Sequence, residues 1–391
     1  MHRGTYLLIL PWEVDAIGGV SQVVSELYRQ LERSGELEPR VLIPDWSATR
    51  QIDEVDGAGR RITRLRLRVP FNNPWPIFEL ARYVAVFAGE MRRLAVLVRS
   101  HDVRVANCHY IGNPSLVWLL AKAVGVFRGK VVLSLHGLDI RTIATVRGIR
   151  RAIWRRALES ADAIVACSRG LAEETVESLA LSGRNVVTIY NGVESQRLVA
   201  LAEGSSGPNR PRAAHPHLVN LGTFEHKKGH DLLLRAFARL LERFPQAHLT
   251  IVGRKGPTFE STRALTKELR LQDRVTISPD ASHELALAAL RDADVFVLPS
   301  RNEAFSVAML EAGAIGKPVV AANVCGVPEL VEDHESGILV PPENVDALLA
   351  GIVEVLENPA AAAAYGQALQ RRVRETFTAE VTFQRYLALV S

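Results

Sequence analysis

A strand-then-helix alternation runs along this chain twice, and a stretch without apolar period separates the two runs. In the first run, Tyr6–Leu10, Arg40–Ile43, Val103–Asn107, Val131–Leu135, Ala163–Ala166 and Val186–Ile189 read as strands. Gly19–Ser34, Pro76–Arg99, Pro114–Val124 and Arg147–Ser160 read as the helices among them. The second run offers strands at His217–Leu221, His248–Val252, Val275–Ile277, Val295–Leu298, Pro318–Ala321 and Gly337–Val340, again with helices between. Short continuous apolar strands alternating with helices demand a parallel sheet covered on both faces. The expected fold is therefore α/β, with two doubly wound, Rossmann-like domains and a ligand cleft between them. The separating stretch EGSSGPNRPRAAHPH is rich in Gly, Pro, Ser and Arg and reads as a linker. This divides the chain into 1–203, a linker at 204–216, a second domain at 217–372, and a C-terminal helix at 373–391 expected to pack back on the first domain.

A length of 391 residues with 48% hydrophobic content suits two cores and excludes a disordered chain. The three cysteines, Cys108, Cys167 and Cys325, are odd in number and widely spaced. That pattern argues against a disulfide framework or a zinc site and points to a reducing cytoplasm. Tyr6–Leu10 is too short for a secretory core and is stopped by Pro11. No apolar run reaches the ~18 residues of a membrane span. Residues 1–210 hold 28 Lys and Arg against 21 Asp and Glu, whereas the remainder holds 19 against 22. The basic half thus suits anionic partners, lipid head groups among them.

Several residues sit where chemistry is expected, at strand ends facing the cleft. Glu303 and Glu311 lie eight residues apart in SRNEAFSVAMLEAGAIGKPVV, directly after an apolar strand. Eight residues is roughly two helical turns. A carboxylate beside an anion-favouring helix start makes sense if it serves sugar hydroxyls. Spacing alone does not separate that pair from an ordinary helix-start acid plus a helix-face acid. The backbone amides of Phe305, Ser306 and Val307 are the unpaired donors of that helix and suit a phosphate. Lys228, in LGTFEHKKGHD, can neutralise a diphosphate or stand as a solvated loop lysine. Gly18-Gly19 opens the first helix, and Gly253 ends a strand before Gly256-Pro257; each allows close backbone approach, as does any tight turn. His136, after the strand VVLSL, can exchange protons or simply bond local backbone.

Taken together, these motifs resemble those of the retaining glycosyltransferases of family 4 (glycosyl transferases group 1), whose fold is the two-domain GT-B architecture. The likeness rests on the Glu-x7-Glu pair, LGTFEHKKGHDLLLRAF, IVGRKGP, CGVPELVEDHESGILVPPEN, YNGVE, HG-x-D at 136–139 and GGVSQVV. It implies transfer of a hexose-type sugar from a nucleotide-sugar donor to an acceptor hydroxyl, in glycan, polysaccharide or glycolipid synthesis. It also implies roles. Glu311 binds the donor ribose, Glu303 the donor sugar, and Lys228 the leaving diphosphate. Gly18 and Gly19 approach that diphosphate, and His136 sits near sugar and acceptor. The resemblance implies no metal or other cofactor and no nucleic-acid partner. One departure stands out: Thr223 occupies the position where the family carries a second diphosphate-binding arginine, leaving Arg254, Lys255, Lys227 or Arg301 to supply that charge. Alternative readings are a sugar-nucleotide 2-epimerase and a non-catalytic nucleotide-sugar-binding relative.

Residues 141–156, RTIATVRGIRRAIWRR, carry six arginines and no acid, with Ile143, Val146, Ile149, Ile153 and Trp154 at helical spacing. Such a helix can lie on an anionic membrane or pack on a core with a solvated basic face. It gives the expectation of a cytoplasmic protein, peripheral at the inner membrane face, that acts on a sugar or lipid-linked glycan acceptor.

Overall fold

The computed structural model describes residues 4–69, 76–205 and 215–390, with side chains of 76–80 excluded. The chain splits into two compact units. The first comprises residues up to Ala16, Val20–Tyr190 and those from Thr382 on; the second comprises Ile17–Gly19 and Asn191–Val381.

Elements of the first run are β1 (Thr5–Ile9), α1 (Gly19–Ser34), β2 (Glu38–Pro44), β3 (Ile52–Val55), β4 (Arg61–Leu65), α2 (Pro76–Ser100), β5 (Val103–His109), α3 (Asn113–Ala123), β6 (Lys130–Leu135), α4 (Leu138–Ala144), α5 (Ile149–Glu159), β7 (Ala163–Ala166), α6 (Arg169–Leu179) and β8 (Val186–Thr188). Their sheet has the order β3-β4-β2-β1-β5-β6-β7-β8. It is parallel except at one edge, where β3 runs antiparallel to β4. That hairpin departs from the all-parallel expectation. β3 is four exposed residues, and its two apolar ones, Ile52 and Val55, neither alternate nor adjoin, so no strand pattern marked it. An Asp-Gly turn at Asp56–Gly57 does precede β4.

The second run holds α7 (Ser195–Glu203), β9 (His217–Leu221), α8 (His230–Leu240), β10 (His248–Gly253), α9 (Phe259–Glu268), β11 (Val275–Pro279), α10 (His283–Arg291), β12 (Val295–Leu298), α11 (Val307–Ile315), β13 (Val319–Ala322), α12 (Val327–Leu330), β14 (Ile338–Val340), α13 (Val345–Glu357), α14 (Pro359–Thr376) and α15 (Ala379–Ala388). The order β11-β10-β9-β12-β13-β14 is that of a dinucleotide-type doubly wound sheet. Its strands β9, β12 and β13 are buried throughout, because helices cover both faces.

In each sheet the direction of winding reverses once. The reversal falls between β1 and β5 in the first and between β9 and β12 in the second. Helices leave such a pair on opposite faces, so a crevice opens beyond the strands' carboxyl ends.

Two boundaries differ from the sequence reading, Tyr190 in place of 203 and Thr382, where the first unit resumes, in place of 373. The first unit ends at Tyr190, not at 203, because α7 packs on α10 and α11 of the second. The linker expected at 204–216 falls mostly on residues outside those described. At the other end, Phe383 and Tyr386 of α15 are buried in the first unit's core, and the Tyr386 hydroxyl lies 2.9 Å from Ser134 Oγ.

Gly253, expected to bind donor, has a packing role in this fold. A Cβ built there would stand 1.9 Å from the carbonyl oxygen of Gly222 on the neighbouring strand's extension. Gly253→Ala therefore forces β9 and β10 apart at their ends. We expect it to lower stability by about 1–3 kcal/mol, read as a shift of the urea midpoint at unchanged slope; an unshifted midpoint contradicts this packing role.

Candidate functional site

The winding reversal of the second sheet brings two loops together. The loop after β9 carries Thr223 and a 3-10 turn, His226–Lys228; the loop after β12 carries Glu303. Lys228 Nζ donates to Glu303 Oε2 at 2.5 Å, with side chains only 16% and 12% exposed. Ser300 Oγ lies 3.4 Å from the same oxygen. Lys228 sits in the turn preceding α8, because Gly229 takes a left-handed conformation and the helix begins after it.

Arg301 staples the two loops. Its amide donates to the Lys227 carbonyl at 2.7 Å. Its guanidinium forks onto both oxygens of Asp231 at 2.8 Å and reaches the His226 carbonyl at 3.0 Å. The fork holds the Asp231 carboxyl below the ordinary aspartate range. Gly229 completes the closure: a Cβ there would lie 2.1 Å from the Pro299 carbonyl oxygen.

Ser306 caps α11, its hydroxyl accepting from the Met309 amide at 3.3 Å. Val307 is therefore the helix's first residue. Phe305 is buried, its ring 5.5 Å from that of Phe377. Glu311, one turn along α11, is 6% exposed and accepts from His283 Nε2 at 2.6 Å. The second sheet thus unites Lys228 with Glu303 and sets Glu311 on the following helix. His136 stands instead at the carboxyl end of β6, whereas Gly18 and Gly19, at the start of α1, group with the second unit, and a Cβ built on Gly19 would lie 3.4 Å from Val307 Cγ2.

Each of the four basic residues weighed against Thr223 has a partner. Arg301 is forked to Asp231, Lys227 pairs with Glu225 at 2.9 Å, and Lys255 Nζ lies 4.7 Å over the Phe259 ring. Arg254 is the residue whose carbonyl accepts from Phe224, next to Thr223, at 3.0 Å. Its guanidinium is 48% exposed and 3.8 Å from Glu225.

The reversal of the first sheet also opens a site, a cavity of about 500 Å³ beyond β1, β2 and β5. Its wall includes Trp12, Tyr110, Ile143, Trp154, Asn113 and Arg150. Trp12 and Tyr110 meet edge to face at 4.9 Å. Asp139 ties the loops beside it, accepting the amides of Ile111, His136 and Ile140 at 3.0–3.1 Å. Burial, the larger effect, raises its carboxyl to about 6 despite those bonds. His109, at the end of β5, lines the cavity and lies 3.3 Å (Nδ1) from His136 Nε2. Burial pushes His136 down to about 4 and His109 well below its ordinary range, so both imidazoles are neutral at pH 7.

The basic segment 141–156 is not one helix. It breaks between α4 and α5 at Gly148, whose φ is +60°. Ile143 and Trp154 of its apolar stripe point inward and are buried, while Ile149 is 71% exposed.

Residues 208–372 match the family described as Glycosyl transferases group 1, and residues 17–197 that described as Glycosyltransferase Family 4. The chain belongs to the family 4 glycosyltransferases. It is 28% identical over 364 residues to the GDP-mannose-dependent alpha-(1-6)-phosphatidylinositol monomannoside mannosyltransferase of Mycolicibacterium smegmatis, covering 90% of this chain and 89% of that one. It is 25% identical over 318 residues to the N-acetyl-alpha-D-glucosaminyl L-malate synthase of Bacillus anthracis, 80% of each. Among solved structures, sucrose-phosphate synthase from Thermosynechococcus elongatus superposes with a TM-score of 0.78 at 24% identity, over 99% of this chain and 98% of that one. Anabaena HepE, solved with UDP and glucose, gives 0.74 at 17%, over 98% of each. These likenesses establish the GT-B fold for the glycosyltransferase.

Among the described residues of this glycosyltransferase no group of three His, Cys, Asp or Glu side chains is placed to hold a metal ion. No single described helix is long and apolar enough to cross a membrane. The bent pair α13 and α14 meets the length and composition alone, and α13 buries Leu348, Ile352 and Val355 in the core. Sequence reasoning missed His109, His283 and the cavity. For His109 a signal existed, since it closes the buried strand VRVANCH much as His136 follows VVLSL.

The neutral histidines set a pH response. His230, 2% exposed at the start of α8, is also lowered to about 4, by burial first and then by Lys228. A lowered folded pKa means the unfolded chain takes the proton first. Each such ring therefore subtracts stability as pH falls below about 6.5; for His136 and His230 this is roughly 2 kcal/mol each at pH 5. Asp139, whose folded pKa is raised, opposes this over the same interval by a smaller amount. Imidazole nitrogen NMR should find His109, His136 and His230 untitrated above pH 5; midpoints near 6.5 contradict the burial argument.

Proposed function

We propose that this glycosyltransferase moves a hexose from a nucleotide-sugar donor to an acceptor hydroxyl with retention at the anomeric carbon. The observation that carries the reading is the Lys228–Glu303 pair at the winding reversal of the second sheet. A cation and a carboxylate facing one crevice suit a ligand that brings a diphosphate and sugar hydroxyls together. The named relatives use GDP-mannose or transfer N-acetylglucosaminyl groups, and HepE holds UDP and glucose, which supports a nucleotide-sugar donor.

In this reading the donor diphosphate takes Lys228 from Glu303. The ammonium stabilises charge growing on the β-phosphate as the anomeric C–O bond breaks. Glu303, released, accepts from sugar hydroxyls and offsets positive charge at the anomeric carbon. The acceptor oxygen bonds to that carbon on the face the phosphate leaves, and its proton passes to the departing phosphate oxygen. The products are the α-configured glycoside and a nucleoside diphosphate when the donor is α-configured. Lys228 supplies the charge that a metal ion would otherwise bring, and Arg254 supplies the second, in place of the arginine absent at Thr223. Phe305, Ser306 and Val307 lend backbone amides, Gly18 and Gly19 let the phosphates approach, and His136 stays neutral as a hydrogen-bond partner of the sugar.

The acceptor enters the cavity of the first sheet. Trp12, Tyr110, Ile143 and Trp154 suit an apolar or aromatic portion, and Arg150 an anionic one, as in a lipid-linked glycan. The exposed Arg147, Arg155, Arg156 and Ile149 favour contact with anionic head groups at a membrane surface.

A thermal-shift panel of UDP-, GDP- and ADP-sugars names the donor, and labelled transfer to glycan and glycolipid acceptors reads turnover. Glu303→Ala and Lys228→Ala should each lower transfer at least about 100-fold while circular dichroism stays unchanged. Wild-type turnover in either variant contradicts the assignment.

A further inference from the structure

Glu311 needs a partner that the second sheet alone does not supply. Its carboxylate is 6% exposed on α11, and a buried carboxylate without a donor is strongly disfavoured. Its single hydrogen bond among the described residues comes from His283 Nε2, at 2.6 Å to Oε1. His283 is the first residue of α10, behind the N-cap Ser282, whose hydroxyl accepts from the Leu285 amide at 3.3 Å. α10 packs against both α7 and α11, so the imidazole is carried on a fixed helix end and not on a loop.

We propose that His283 is a positioning residue for the donor nucleotide: by donating to Glu311 Oε1 it fixes the carboxylate so that Oε2 meets the ribose hydroxyls. The inference rests on the reading that Glu311 receives the ribose. The geometry supports it in two ways. A glutamate has three side-chain torsions, and one short bond from a helix-mounted ring removes most of their freedom. The bond also spends one oxygen only, leaving the other an acceptor with no partner among the described residues. The electrostatics agree. Burial and Arg197 of α7 push the imidazole down, Glu311 pushes it up, and the net shift is upward, which strengthens the N–H donor.

The test compares isothermal titration of UDP, GDP and ADP with that of their 2′,3′-dideoxy counterparts. Wild-type protein should prefer the ribonucleotide of its own base by about 10-fold, the worth of one charge-assisted hydrogen bond. His283→Ala should lose most of that preference through the ribo form alone, with dideoxynucleotide affinity unchanged. His283→Gln, which keeps an N–H donor at similar reach, should recover at least part of it. An unchanged preference in His283→Ala, or equal weakening of both nucleotides, overturns the inference, the second result being what mere structural damage gives. Glu311→Gln separates the two readings. If it too keeps the wild-type preference, or if no diphosphate binds the wild type, the ribose reading itself is wrong. If it loses the preference and His283→Ala does not, only the role of His283 is.

Discussion

The short ion pair between Lys228 and Glu303 depends on where the second sheet reverses its winding. Neither residue is near the other in sequence; they meet because β9 and β12 are neighbours whose following loops leave toward the same end of the sheet. The closeness is then enforced by Arg301, which bonds both the Lys227 carbonyl and Asp231, and by Gly229, where any side chain would collide with Pro299. A partly buried pair of this kind is weak evidence of added stability, since desolvation offsets much of the attraction. In the proposed reading it is a site held ready: its charges are paired with each other until a ligand of opposite pattern, anionic beside the lysine and hydroxyl-bearing beside the glutamate, takes both.

The two sheets use the same physical device for different chemistry. Beyond the reversal of the second lie charges; beyond that of the first lies a cavity walled by tryptophan and tyrosine with neutral histidines. Burial keeps His109 and His136 uncharged, so that end of the sheet offers hydrogen bonds without adding a competing cation. Asp139, itself in the cavity wall, holds the loops there through backbone amides, support that fixes the aperture.

Much of the architecture was legible because buried parallel strands are continuous apolar runs and helices between them carry a different period. Glu303, Lys228 and Glu311 were legible through spacing and resemblance. What escaped had physical causes. β3 is exposed along its whole length, and Ile52 and Val55 at its two ends make no strand period. α7 lies before the polar linker yet packs with the second unit, a tertiary choice that composition does not encode. The basic stretch 141–156 has a helical stripe, but Gly148 breaks it and the core takes Ile143 and Trp154. His283 is 28 residues from Glu311 and opens the helix after β11, while Glu311 lies on the helix after β12, so only the packing of α10 on α11 reveals the pair.

The central claim is that donor diphosphate and Glu303 compete for one ammonium group. Calorimetric affinities of the nucleoside diphosphate for wild type, Lys228→Met and Glu303→Gln test it directly. If the pair is a partner exchange, Lys228→Met weakens binding, whereas Glu303→Gln, which frees the lysine, tightens it. Weaker diphosphate binding in Glu303→Gln would contradict the account.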